Sequence, residues 1–193
     1  MTTPTKTFNL EDEAERLEAK ANRLADEAAD TDPDTAEAER ELTETVEEGN
    51  NVEQMLVGVR WALSPESHED RAPYTEVTLS GLTAGEYADV GDYTQGIKEL
   101  NQSKVSKHMG ATQARRNIFA AAGVESAPFL DDGDTELYDR YRVVRTLNPQ
   151  FVFWIEQQVD DLTTPEVEGN EFAARVAERS TTPPPTEPTP EQS

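Results

Sequence analysis

Residues 148–162 read NPQFVFWIEQQVDDL, and this stretch decides the fold because it is the most hydrophobic in the chain. Asn148 followed by Pro149 is typical of a helix start, since the Asn side chain caps free backbone N–H groups and proline suits the first turn. The apolar side chains then fall on one helix face. They are Phe151, Trp154, Ile155, Val159 and Leu162. We expect this face either to form the core of the body or, through Phe151, Trp154 and Ile155, to bind a partner.

Further helices are predicted on the N-terminal side of this stretch. Residues 135–145 are expected to be helical, as are residues 112–122, where Gly123 is a suitable C-terminal stop. Thr83 and Glu86 form a capping box, in which each side chain accepts a hydrogen bond from the backbone N–H group of the other residue. A helix is therefore expected to begin at Thr83.

A small β element is predicted before that helix. Residues 57–63 and 74–82 alternate apolar and polar side chains, which is the strand pattern. The polar segment 64–73 would connect them, so the economical interpretation is a β-hairpin. A helix through Val52, Leu56 and Val59 competes with the first strand, and we favour a short helix to about residue 55 followed by the strand.

The sequence of the N-terminal third of the chain predicts a helical hairpin. Residues 10–28 carry a Leu/Ala heptad that keeps a narrow seam on one helix face. Pro33 ends this helix. A second helix is expected over residues 35–48, with Ala38, Leu42 and Val46 on one side, and Gly49-Asn50-Asn51 ends it. The leucines of the seam, proposed for self-association, are Leu10, Leu17 and Leu24. They either pack only within the hairpin or contact a partner helix.

These predictions give a mainly α fold with a small β-hairpin, divided into three parts. Residues 1–51 form the N-terminal helical hairpin, and residues 52–163 form a compact helical body. Residues 164–193 are expected to form an acidic, disordered tail rich in Pro and Thr, in which the run of prolines from Pro183 to Pro190 precludes helix and sheet.

The net charge is unusual for a small fold. The 193 residues include 40 Asp and Glu against 17 Lys and Arg, a formal charge of −23, with only 5 lysines and 21 threonines. Self-repulsion of this size destabilises a small protein unless salt screens it. The composition favours a halophilic protein over an acidic, partly disordered protein of ordinary salt. It also argues against direct binding to nucleic acid.

One segment departs from this acidity. Between Ile97 and Ile118, five cations face a single acid, Glu99. They are Lys98, Lys104, Lys107, Arg115 and Arg116. A second cationic group comprises Arg140, Arg142 and Arg145. These cations either neutralise the acidic hairpin within the molecule or bind a partner, for which an acidic protein fits better than nucleic acid.

Residues that carry chemistry are scarce. The chain has no Cys, which excludes disulfides and thiolate sites, and its two histidines, His68 and His108, are isolated from one another. Phosphate-binding loops and a nucleophile elbow are missing, and the acidic stretch at 131–136 lacks the spacing of an EF-hand. No apolar run reaches the length of a membrane span. We therefore expect no enzyme activity, cofactor, metal site or membrane partner.

The stretch VTLSGLTAGEYADV, residues 77–90, resembles the entry to the helical part of tail assembly chaperones of long-tailed viruses. In that family a β-strand ends in Gly-Leu-Thr and a capped helix follows. The helices at 117–123 and 147–162 come in the expected order. The similarity covers about residues 56–163, and together with the composition it points to a tailed virus or provirus of haloarchaea.

The resemblance implies binding without chemistry. Such chaperones coat the tape-measure protein, a long helical rod, until tail-tube subunits displace them. It therefore implies a tape-measure or other helical virion protein as partner, self-association, and a location in the host cytoplasm or the virion. The alternatives are a virion structural protein, such as a tail or head–tail connector subunit, and a halophilic adaptor without a viral role.

Folding is expected to depend on salt, because the excess of 23 negative charges must be screened before a small core can outweigh their repulsion. Circular dichroism at increasing KCl concentrations measures this, and helicity and melting temperature should both rise toward molar salt. Equal values at low and molar salt would refute the halophilic interpretation.

Overall fold

The computed structural model describes residues 3–67, 72–102, 111–131, 133 and 136–164. They form a mainly helical fold with one small antiparallel sheet, which confirms the predicted fold class. In chain order the α-helices and strands are β1 (Thr5–Asn9), α1 (Leu10–Asp30), α2 (Ala36–Leu63), β2 (Glu76–Ser80), α3 (Ala84–Gln102), α4 (Ala111–Gly123), β3 (Val124–Ser126), α5 (Leu137–Val144) and α6 (Pro149–Thr163).

The sheet has three strands in the order β1-β2-β3, with both pairs antiparallel. Phe8 lies opposite Val77, and both are buried, while on the other face the hydroxyls of Thr7 and Thr78 are 2.9 Å apart. The sequence predicts residues 57–63 as the partner of β2, and this prediction is wrong. The actual partner is β1, in which Phe8 is the only buried side chain, so its sequence lacks the apolar alternation of a strand.

Helix α6 lies at the centre of the fold and packs against α2, α4 and β2. Asn148 caps it as predicted, accepting hydrogen bonds from the N–H groups of Gln150 and Phe151. Its aromatic side chains pack against the sheet and each other. The Trp154 ring is stacked on Phe151 at 5.5 Å and meets the edge of Phe8 at the same distance. The most hydrophobic stretch of the sequence is thus the centre of the core.

A buried carboxylate connects α6 to α1. The indole N–H of Trp154 donates a hydrogen bond to Glu13 Oε1 over 3.0 Å. Arg16 donates to both oxygens of the same carboxylate, at 2.6 and 2.9 Å. This hydrogen bonding with Glu13 raises the pKa of the Arg16 guanidinium above its usual value. Since a buried charge requires such partners, Glu13 holds the first half of α1 against the core.

Helix α2 is continuous through the expected stop at residues 49–51 and through the expected strand at 57–63. Val52, Leu56 and Val59 are buried, whereas Val57, which the strand pattern placed with Val59, is 54% exposed. The competing helical spacing is therefore the correct one. Gly49 does not end the helix, because an isolated glycine costs a helix only about 1 kcal/mol and packing against α1 offsets this.

The predicted boundary between residues 51 and 52 falls inside α2, which corrects the division into hairpin and body. Phe8, Leu10 and Leu17 belong to the same buried cluster as α6. The N-terminal segment therefore contributes a strand and half a helix to the body. The predicted tail, residues 164–193, lies outside the described residues except for Thr164.

The capping box and the stop at Gly123 are confirmed. Thr83 and Glu86 exchange backbone-to-side-chain hydrogen bonds at the start of α3, and α4 ends at Gly123. Gly81, just before the box, touches the backbone of α6 at Leu162 and Thr163. The chain segment that resembles the chaperone family thus packs on the end of the central helix.

Replacement by alanine is expected to have opposite effects on stability at two glycines of α2. A Cβ on Gly58 would collide with the backbone of Gln150 and Phe151, whereas a Cβ on Gly49 would sit 3.9 Å from the Leu24 Cβ, an ordinary contact. Gly58→Ala should therefore lower the free energy of unfolding by about 1–3 kcal/mol. Gly49→Ala should raise it by about 0.5–1 kcal/mol through helix propensity.

Denaturant unfolding of both variants in molar KCl measures these changes, and Gly49→Ala serves as the matched control. A Gly58→Ala variant as stable as the wild type would show that α6 does not approach α2 as closely as described.

Candidate interaction surfaces

The predicted partner-binding face of α6 is buried. Phe151, Trp154 and Ile155 are each 0% exposed. They contact other elements of the same chain, and the interpretation of them as partner contacts is therefore corrected in favour of the core. The reason is that α2, α4 and β2 pack around α6, and Trp154 also meets Phe8 of β1 and Glu13 of α1.

The leucine seam is buried in the same way. Leu10 and Leu17 are completely enclosed and Leu24 is 4% exposed. The side chains of this seam pack on α2 and the central cluster, so they are not available for self-association in the folded chain. This corrects the assignment of Leu10, Leu17 and Leu24 as an association surface.

The cations between residues 97 and 118 lie in different environments. Arg116 donates to Glu156 of α6 at 2.7 Å and lies 4.7 Å from the centre of the Phe153 ring, so it serves packing between α4 and α6. Arg115 is exposed, with its guanidinium 5.7 Å from the Phe119 ring and 3.4 Å from the Tyr87 hydroxyl. Lys98 is exposed on α3.

The remaining two predicted cations, Lys104 and Lys107, lie outside the described residues. In the described segments, no ion pair joins Lys98, Arg115 or Arg116 to the acidic hairpin. Carboxylates of the hairpin pair instead with cations of α1 and α2, as in Lys20–Glu48 at 2.7 Å and Arg60–Glu18 at 2.9 Å.

Residues 24–48 form an acidic arm, comprising the end of α1, the connection, and the start of α2. No residue from 25 to 51 is buried, and the first buried residue of α2 is Val52. Residues 36–51, about 24 Å of helix, therefore lie outside the core. The arm holds eleven carboxylates and one arginine, so it carries close to half of the protein's net charge of −23.

The inner side of the arm is only partly covered. The half-buried positions of α2 are spaced by four, three and four residues, which keeps them against α1. They are Ala38, Leu42, Thr45 and Gly49. Val46, which the sequence placed with Ala38 and Leu42, is 46% exposed instead. Two steps of four residues, from Ala38 to Val46, turn about 80° around the helix, so Val46 lies at the side of the seam.

Helix α5 presents a different kind of surface near the other end of α2. Tyr138, Arg142 and Arg145 are exposed and lie on one side of α5 and its C-cap, at positions i, i+4 and i+7. We call these three residues the α5 face. Sequence reasoning found the two arginines but missed Tyr138, although its spacing from them on a predicted helix was a usable signal.

A cleft of about 520 Å³ borders the α5 face. Its lining includes Trp61 at the end of α2, Phe129, and the side chains of Asp139 and Arg142 on α5. Phe129 is buried and contributes packing rather than open ring surface. The cleft extends the α5 face toward the C-terminal end of α2.

Other kinds of site have little support in the residues that the structure describes. Within them there is no cluster of three metal-ligating side chains, and none of their helices is long and apolar enough to cross a membrane. His68 and His108 lie outside the described residues.

No protein-family model matches the chain, and neither a curated protein nor a solved structure is significantly similar to it.

Proposed function

We propose that the protein is a non-enzymatic assembly chaperone that binds a long helical protein through its acidic arm. The single observation that carries this proposal is the arm itself, two packed helical segments in which no side chain after Leu24 is buried. A two-helix unit of this kind is marginally stable alone, and a third helix laid along it would supply the missing apolar contact.

The chemistry of the arm specifies what such a helix should look like. Val46 is 46% exposed beside the half-buried Leu42, so the partner needs apolar side chains at helical spacing. The carboxylates around these residues favour a partner with Lys or Arg beside its apolar stripe. In molar salt, where the Debye length is about 3 Å, the apolar contact supplies most of the affinity and the charges set the register.

Resemblance supplies the biological context. Similarity of residues 77–90 to tail assembly chaperones favours the tape-measure protein as the helical partner, and the acidic composition favours a haloarchaeal virus or provirus. The protein would then act in the high-salt cytoplasm of the host, before the tail tube forms. The sequence analysis considered the aromatic face of α6 as the surface that contacts the partner. In the present proposal, the arm is that surface.

Co-expression with the candidate tape-measure protein tests this proposal. Wild-type protein should keep the partner soluble, and Val46→Glu should abolish this effect because it places a charge in the proposed apolar contact. Val57→Glu is the matched control, since Val57 is similarly exposed on the same helix but lies beyond the arm. It should retain the effect.

Both variants should show wild-type circular dichroism, because neither side chain is buried. A partner that remains insoluble with folded wild-type protein would contradict the chaperone proposal and favour a virion structural subunit. If the partner is equally soluble with the two variants, the arm does not form the contact.

A further inference from the structure

The α5 face has the composition of a protein-binding surface. Tyr138 is 55% exposed, and Tyr and Arg are enriched where protein interfaces are energetically strongest. Within the described part of the chain, neither Arg142 nor Arg145 forms an ion pair with a carboxylate. In a protein of net charge −23, two such arginines on one helix side are an exception.

The acidic arm carries a matching pattern. Glu37, Glu41 and Glu44 are exposed on α2 at positions i, i+4 and i+7. The α5 face has the same spacing, with Tyr138 at i and its two arginines at i+4 and i+7. Glu44 is already paired with Arg40 at 2.8 Å. In an antiparallel arrangement, Arg142 can lie opposite Glu41 and Arg145 opposite Glu37, since three and four residues of helix span about 5–6 Å.

The two surfaces cannot meet within one chain. The cleft beside the α5 face includes Trp61, whereas Glu44 lies much earlier on the same continuous helix. The two positions are separated by about 25 Å along α2. The acidic surface and the cationic surface thus lie toward opposite ends of α2.

We propose that the α5 face binds the acidic arm of a second copy of this chain, with Arg142 and Arg145 facing Glu37 and Glu41. Such a contact joins two different surfaces, so a pair of copies still has one free arm and one free α5 face, each able to bind a further copy. The expected assembly is a head-to-tail series that grows with concentration. The contact uses the exposed carboxylates of α2 and leaves Val46 for a helical partner, and it does not depend on the proposed function.

Mixing two variants of the full-length protein tests this inference. Glu37→Lys with Glu41→Lys disables the arm, and Arg142→Glu with Arg145→Glu disables the α5 face. Sedimentation velocity is measured on purified protein, at the lowest KCl concentration that gives full helicity. The wild type should form a concentration-dependent series, and in each double variant the dissociation constant for self-association should rise at least about tenfold.

The equimolar mixture should form a dimer of one copy of each variant and nothing larger. In that dimer, the intact arm of one variant binds the intact α5 face of the other. Lys98→Glu with Arg115→Glu is the matched control, because it changes the net charge by the same amount as the α5 variant and should associate like the wild type within about twofold.

Three results would overturn the inference. They are a monomeric wild type at every concentration, double variants that associate like the wild type, and a mixture without the mixed dimer. Because no other protein is present, none of these results bears on whether the arm binds a helical partner.

Discussion

The close approach of α6 to α2 at Gly58 is the constraint on which the rest of the fold depends. At this point the backbone of Gln150 and Phe151 occupies the space that any side chain at position 58 would need. Helix α6 enters the core here, where Phe151 packs against Trp61 and Trp154 meets the edge of Phe8. The indole of Trp154 in turn meets the carboxylate of Glu13, which fixes the start of α1. Gly58 therefore permits the approach of α6 through which Trp154 meets Phe8 and Glu13.

The same arrangement separates charge along the molecule. Helix α2 belongs to the core from Val52 onward, whereas its earlier turns belong to the arm. The carboxylates of the arm thus lie away from the apolar interior, where each would need a partner as Glu13 does. The exposed arginines of α5 lie near the other end of α2. The repulsion among the carboxylates of the arm is therefore located outside the core.

Much of the fold could be predicted from the sequence where a single local rule applies. Asn148-Pro149 and the Thr83–Glu86 box begin helices as expected, because capping depends on side chains close by in the sequence. The errors arose where a long-range contact decided the outcome. Residues 57–63 fit both a strand and a helix, and packing on α6 selects the helix. Strand β1 exists because it pairs with β2, which is distant in the sequence, and no local pattern shows this.

The candidate surfaces were less predictable than the fold, for the same reason. The same pattern of apolar residues is expected for a helix face that binds a partner and for one that lies in the core. The two cases differ only in whether another part of the same chain packs on the face. Phe151 is enclosed by Trp61, Tyr74 and Phe129, and Trp154 by Phe151, Phe8 and Glu13, contacts that join residues distant in the sequence. The cations at 142 and 145 were visible in the sequence, but their position near the opposite end of α2 from the arm was not.

The central claim is that the boundary between body and arm lies within α2, and that the N-terminal strand belongs to the body. Hydrogen exchange of backbone amides in molar KCl tests this directly, since it reports the free energy of local opening along one helix. Amides of residues 52–63 and of β1 should be protected as strongly as those of α6, and amides of residues 40–48 should exchange much faster. Two results would contradict the account. One is equal protection of the amides along the whole of α2, and the other is a strand β1 whose amides exchange as fast as those of the arm.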